Sequence, residues 1–90
     1  MLKLPDQKGF YVYILECRDH TYYTGWTTNL NKRFLAHKSG KGARYTKSHP
    51  PLSCVYYECF QDQPSAMKRE YEIKQMTRLK KQQLIDTMMK

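Results

Sequence analysis

A chain of 90 residues holds one domain, which buries only roughly two-thirds of its unfolded surface. Hydrophobic residues make up 40% of it, enough for a thin globular core, and no apolar run approaches the roughly 20 residues that a membrane span requires. Sixteen Lys and Arg against eight Asp and Glu leave a net charge of +8, which points to an anionic partner and away from a basic one.

Residues 1–9 read as a loose leader ending at Gly9, without the apolar stretch of a secretory signal. Cys17, Cys54 and Cys59 are therefore expected as reduced thiols in a cytoplasmic protein. The remainder, residues 10–88, reads as a single domain. Phe10–Cys17 is aromatic and β-branched and predicts a strand, followed by a short polar turn at Arg18-Asp19-His20. Thr21–Thr27 predicts an antiparallel second strand. Thr27 or Thr28 can cap a helix that begins near Asn29, and Gly40 closes it. Ser39 to Pro51, punctuated by glycine and ended by two prolines, reads as a basic loop. Ser53–Phe60 predicts a third strand. Pro64 fits the first turn of a second helix that runs to about Met76, and Thr77 can cap a third over Arg78–Met88. The order β-β-α-β-α-α implies an α+β fold, a small three-stranded antiparallel-rich sheet flanked by helices.

Charge is distributed unevenly along this outline. From His20 through Tyr57 there is no Asp or Glu, while Lys32, Arg33, Lys38, Lys41, Arg44 and Lys47 fall within the stretch. Such a segment attracts phosphate backbones through counterion release, although a basic surface also serves solubility. Lys41, Arg44 and Lys47 surround Tyr45, an aromatic able to stack on an unpaired base. We take Lys32, Lys38, Lys41, Arg44, Tyr45 and Lys47 as candidate nucleic-acid contacts.

Helical geometry then places polar groups where apolar ones belong. At about 100° per residue, Leu30 and Phe34 define the inward stripe of the first helix, and Arg33 and His37 fall beside it, one helical step apart. On the second helix Ala66, Met67, Ile73 and Met76 define the apolar face and Glu70 lies within that arc, whereas Glu72 points away. An inward carboxylate needs a cation, a metal or a hydrogen-bond donor. A buried Glu70–Arg33 ion pair satisfies that need as well as a functional site does. Tyr11 and Tyr13 share one face of the first strand, and Val12 and Ile14 the other. Cys54 and Cys59 lie five apart on a strand and face opposite sides, so they do not form a zinc finger with His37 or His49.

These residues fall into a known pattern. Tyr11-Val12-Tyr13, followed by Tyr23-Thr24-Gly25, resembles the paired motif of the GIY-YIG nuclease superfamily. Arg33 and His37 resemble that family's helical pair, and Glu70 its metal-binding glutamate. The resemblance covers roughly residues 10 to 86. It is closest to the short stand-alone bacterial branch of YhbQ/YazA (UPF0213) type, in which a Ser-Gly-Lys-Gly-Ala loop, here Ser39 to Ala43, recurs. Tyr11 stands in place of the first motif's glycine and Thr24 in place of the second motif's isoleucine, and no Asn follows Asn31.

The resemblance implies metal-assisted hydrolysis of a DNA phosphodiester, with RNA a possible partner and no small-molecule substrate, by a chain expected to be a monomer. Tyr13, Tyr23, Arg33, His37 and Glu70 are then the catalytic set. Glu70 holds one Mg²⁺ or Mn²⁺, and Arg33 grips the scissile phosphate. Tyr13 takes a proton from the attacking water, its pKa lowered by the basic surroundings. Tyr23 and His37 position water or phosphate, with His37 available as a proton relay, and the two tyrosines can exchange roles. The competing reading is a binding module that keeps the nuclease fold without cutting, for which the missing late Asn speaks.

Overall fold

The run Phe10–Cys17 forms strand β1, and the polar turn after it lets β2 (Tyr22–Thr27) return antiparallel. The turn is tight enough to hold His20 at φ 65°, in the left-handed region. Helix α1 (Leu30–Lys38) follows at once. In this computed structural model, which describes residues 2–88, its cap is Asn29 and not the threonines before it. The Asn29 side chain accepts from the Lys32 N–H at 3.1 Å, while the Thr27 hydroxyl accepts from the Asn29 N–H.

The stretch expected to be loop from Ser39 to Pro51 contains a short helix, α2 (Arg44–Ser48). Strand β3 (Pro51–Phe60) starts two residues earlier than its apolar pattern suggests and pairs with β1. Helix α3 (Gln63–Lys74) is capped by Asp62, which accepts from the Ser65 N–H at 2.8 Å, with Pro64 in its first turn. Helix α4 (Arg78–Met88) begins after Thr77, whose hydroxyl accepts from the Lys80 N–H.

The sheet order is β2-β1-β3, so the most apolar strand is central and both of its faces are covered. Alternation along β1 divides the core in two. Tyr11, Tyr13 and Leu15 face Leu30 and Phe34 of α1, together with Leu4 and Cys54. Val12 and Ile14 face Tyr56, Ala66, Ile73 and Ile85, under α3 and α4. Each fully buried Ile or Leu in these clusters contributes roughly 1.5–3 kcal/mol relative to exposure. The described part of the leader, residues 2–9, carries no helix or strand, yet it rests on the domain. Leu4 is buried, the Gly9 N–H donates to Thr28 O, and Gln7 O accepts from the Tyr11 hydroxyl. Met67, read as part of the apolar face of its helix, is exposed instead. Sheet and helices thus form the expected α+β arrangement.

The second cluster contains one polar misfit. Thr24 pairs with Ile14 in the register and is buried, and its hydroxyl finds no partner among the described residues. A buried unpartnered hydroxyl costs about 1–3 kcal/mol. Thr24→Val keeps the shape and removes the hydroxyl, so it is expected to stabilise the fold by about 1 kcal/mol. The check is the midpoint of urea unfolding; a lower midpoint than wild type would show that the hydroxyl is bonded in solution.

Candidate active site

The site is assembled where α1 crosses the Tyr11/Tyr13 face of the sheet. In the register Tyr13 lies opposite Gly25, and its ring covers that glycine. A Cβ at position 25 would stand 2.6 Å from the Tyr13 hydroxyl oxygen, so only glycine admits the ring. The Tyr13 hydroxyl meets His37 Nε2 at 2.7 Å, with both residues fully buried. On the far side of the imidazole, Nδ1 meets the Thr46 hydroxyl of α2 at 2.7 Å. Tyr23, half-buried, packs its ring 5.1 Å from His37 and 6.3 Å from Tyr13.

Arg33 stands one helical turn before His37 and donates from Nη2 to the Gly42 carbonyl at 2.7 Å. Gly42 is pressed against the His37 ring so closely that a Cβ there would collide with the imidazole and with the His37 backbone. The Ser39–Ala43 loop is therefore a clasp over Arg33 and His37. Each partner of the Arg33–Gly42 bond lines a cleft of its own. One, of about 200 Å³, is lined by Thr27, Thr28, Asn29, Lys32 and Arg33. The other, of about 400 Å³, is lined by Lys41, Gly42, Arg44 and Lys47.

Glu70 comes from the opposite layer, on α3, which lies across β1 and the edge strand β2. Its side chain is 21% exposed against 48% for Glu72, as helix geometry predicts. It does not pair with Arg33. Its ion-pair partner among the described residues is Lys74, at 3.7 Å. Its charge still reaches Tyr13 and Tyr23, acting on the ionisation of both phenols. The structural alternative of a buried Glu70–Arg33 pair is thus not realised.

The sequence pattern of the GIY-YIG catalytic domain matches residues 9–83. The chain belongs to the GIY-YIG family. The UPF0213 protein CPE1444 of Clostridium perfringens is 52% identical to it over 77 residues, 86% of this chain and 83% of that protein. The UPF0213 protein of Syntrophus aciditrophicus is 54% identical over 76 residues, 83% and 87% of the two chains. Two solution structures share the fold. The UPF0213 protein BH0048 of Bacillus halodurans (46% identity, 88% of this chain and 84% of that one) has a TM-score of 0.58. Protein EF2693 of E. faecalis (35% identity, 94% and 91%) has a TM-score of 0.63. Membership implies a nuclease-type domain with nucleic acid as its substrate class.

The electrostatics of this GIY-YIG domain correct one expectation. The basic surroundings do not make Tyr13 a ready base. Burial pushes its phenol well above the ordinary tyrosine value, and the Arg33 guanidinium offsets this only in part. Tyr23 is raised by burial too, again with Arg33 opposing. His37 moves the other way, down to about 4, through burial first and the Arg33 charge second. At neutral pH the centre is a neutral phenol bonded to a neutral imidazole beside a fixed cation.

Glu70 fits a hydrated hard cation. Among the described residues no hydrogen bond engages its oxygens, and no group of three His, Cys, Asp or Glu gathers anywhere. One carboxylate with the remaining positions left to water and phosphate suits Mg²⁺ or Mn²⁺ and does not suit zinc. The three cysteines are free, Cys17 and Cys54 buried and Cys59 exposed.

Of the expected nucleic-acid contacts, Lys32, Lys38, Lys41, Arg44 and Lys47 are all exposed. Lys38 Nζ lies 5.7 Å from the centre of the Phe34 ring. Tyr45 is engaged from within. Its ring stacks on His49 at 4.2 Å and on Tyr23 at 5.9 Å, and its hydroxyl donates to the Thr21 hydroxyl. His49 in turn pairs with Asp19, whose carboxyl is lowered to about 2 by the Thr21 hydroxyl and by His49. Tyr45 thus links the site to the β1–β2 turn. Sequence reasoning missed Thr46 and Gly42 as site residues. Helix α2, at five residues, is too short to show a periodicity.

The His37 shift makes stability depend on pH. The folded value lies below that of an unfolded histidine, near 6.5, so the unfolded chain binds more protons between the two. The contribution, on the order of 3 kcal/mol, is complete above pH 6.5 and is lost as pH falls toward 4. Urea unfolding at a series of pH values should show this loss in wild type and a flatter profile in His37→Gln. Parallel profiles would remove His37 as the cause.

Proposed function

We propose that the domain is a metal-dependent, endonuclease-type phosphodiesterase acting on DNA, cytoplasmic and monomeric, with Tyr13, Tyr23, Arg33, His37 and Glu70 as its catalytic set. The observation that carries this reading is the Tyr13–His37 pair held beside an Arg33 that meets no carboxylate among the described residues, in a chain without an acid from His20 to Tyr57. A domain that only binds needs the cations but not a buried phenol–imidazole pair whose phenol feels the charge of a partly exposed carboxylate.

Arg33 is the phosphate ligand. In the free protein its guanidinium bonds a backbone carbonyl and no carboxylate among the described residues, so a phosphate oxygen gains a full charge-assisted partner. The attacking water gives its proton to the Tyr13 oxygen as the Tyr13 hydroxyl proton passes to His37 Nε2. The phenol is never ionised at rest, so its raised pKa is no obstacle. The new P–O bond forms from the water oxygen, the bond to the leaving oxygen breaks, and that oxygen takes a proton from solvent. Arg33 is one cause of the low His37 pKa, and a bound phosphate neutralises it, so substrate itself raises the proton affinity of the imidazole. Tyr23, on the imidazole's flank, orients water or phosphate. A divalent cation held by Glu70 supplies stabilisation of negative charge on the leaving oxygen.

Purified protein with Mg²⁺ or Mn²⁺ is expected to nick some DNA substrate, and Glu70→Ala to lose at least about a hundredfold in rate with the fold intact by circular dichroism. Equal trace cutting by wild type and variant would identify a contaminant and reject the assignment. The two clefts on either side of the Arg33–Gly42 bond suggest the strand's path along Lys32 and on to Lys41, Arg44 and Lys47. Neutralising the last three should flatten the slope of log K against log salt by about 2 to 3. An unchanged slope in anisotropy titrations would take that cleft out of the interface.

A further inference from the structure

We propose that Thr46 is a positioning residue for the proton relay, holding His37 in the tautomer that carries its proton on Nδ1 and keeps Nε2 free to accept from Tyr13. The inference rests on the nuclease reading for its purpose, but the tautomer itself follows from hydrogen-bond accounting.

The Thr46 hydroxyl has one proton and two neighbours, the Ala43 carbonyl at 3.2 Å and His37 Nδ1 at 2.7 Å. A carbonyl can only accept. If the hydroxyl proton goes to Ala43, Thr46 Oγ1 accepts from Nδ1–H, Nε2 presents its lone pair, and the Tyr13 hydroxyl donates to it at 2.7 Å. Every proton in the chain is then used. The opposite arrangement has Thr46 donate to Nδ1 and Nε2–H donate to Tyr13. It forfeits the bond to Ala43 and leaves the Tyr13 hydroxyl proton with no acceptor among the described residues. In the free protein Tyr13 is 1% exposed, so solvent does not supply one; the attacking water reaches its oxygen only once substrate has drawn Arg33 away from Gly42. The first arrangement makes three bonds and the second makes two while orphaning a buried donor, which settles the direction.

The loop reinforces the choice. Gly42 lies against the Nδ1 side of the ring, where even a methyl group would clash, so Nδ1 has no solvent to turn to in place of Thr46. Both Thr46 and His37 are fully buried. A histidine side chain free in water prefers the proton on Nε2, where it would block transfer from Tyr13 in the same way that a wrong tautomer disables a catalytic triad. Helix α2 exists, on this view, to bring one hydroxyl under the histidine.

Long-range ¹H–¹⁵N correlation spectra of histidine-labelled full chain read the tautomer directly. Wild-type His37 at pH 7.5 should show the Nδ1–H pattern. Thr46→Val should shift it toward Nε2–H with the remaining amide spectrum preserved, and Thr46→Ser should restore it. On the DNA substrate that wild type cuts, Thr46→Val should lower kcat at least about tenfold with KM little changed, again rescued by serine. An Nε2–H pattern in wild type, or a pure Nδ1–H pattern or unchanged kcat in Thr46→Val, overturns the proposal. If wild type has the Nδ1–H pattern, lost in valine and restored in serine, but no DNA is cut, the tautomer assignment stands and the nuclease reading fails.

Discussion

The 2.7 Å hydrogen bond between the Tyr13 hydroxyl and His37 Nε2 is the constraint around which the domain is arranged. It joins the central strand to the helix above it in a place that excludes water, where an unmet partner is costly. Satisfying it requires Tyr13 on the α1 face of β1, hence the alternation that puts Val12 and Ile14 on the other face. It requires room for a phenol across β2, supplied by Gly25. It also requires His37 on the same stripe as Leu30 and Phe34, which follows from their spacing of seven and three residues along α1. A residue inserted between Phe34 and His37 would turn the imidazole by about 100° and break the bond.

The second layer has a different task. Helices α3 and α4 seal Val12 and Ile14 with Ala66, Ile73 and Ile85, and the apolar cluster tolerates one misfit, the Thr24 hydroxyl. Glu70 sits at the margin of that seal, between its buried stripe and solvent. That position keeps the carboxylate partly dry yet reachable, and its pairing with Lys74 at 3.7 Å is loose enough to yield to a cation. The two layers thus divide the chemistry. The phenol–imidazole pair is buried under α1, and the carboxylate stands on the flank of α3.

Much of this was legible in the sequence because it follows from periodicity. Alternation in Phe10–Cys17 assigned Tyr13 its face, and the four-residue step from Arg33 to His37 placed both on one side of a helix. The same arithmetic turned Glu70 inward and Glu72 outward, and the exposures agree. What was not legible depends on the loop and on burial. Glycine and proline between Ser39 and Pro51 signal irregular backbone, and a helix of a turn and a half leaves no periodic trace, so Thr46 could not be told from an ordinary loop threonine. The sign of the Tyr13 shift was missed for a related reason. A count of nearby lysines and arginines suggests a lowered phenol, whereas the side chain is sealed from them, and desolvation outweighs the one guanidinium that reaches it.

That sealing also explains why a strongly basic domain keeps a neutral centre. A histidine in water among so many cations would still titrate near its ordinary value, since surface charges are screened within about 8–10 Å. Buried beside Arg33, with Thr46 accepting from Nδ1–H, His37 holds no proton on Nε2 until negative charge arrives. On the proposed reading, the phosphate backbone that the exposed cations recruit is also the charge that neutralises Arg33 and raises the basicity of the imidazole. Recruitment and activation are therefore driven by the same ligand. In that reading the basic surface would concentrate nucleic acid without activating the pair, and only a phosphate that takes Arg33 from the Gly42 carbonyl would change the field at His37.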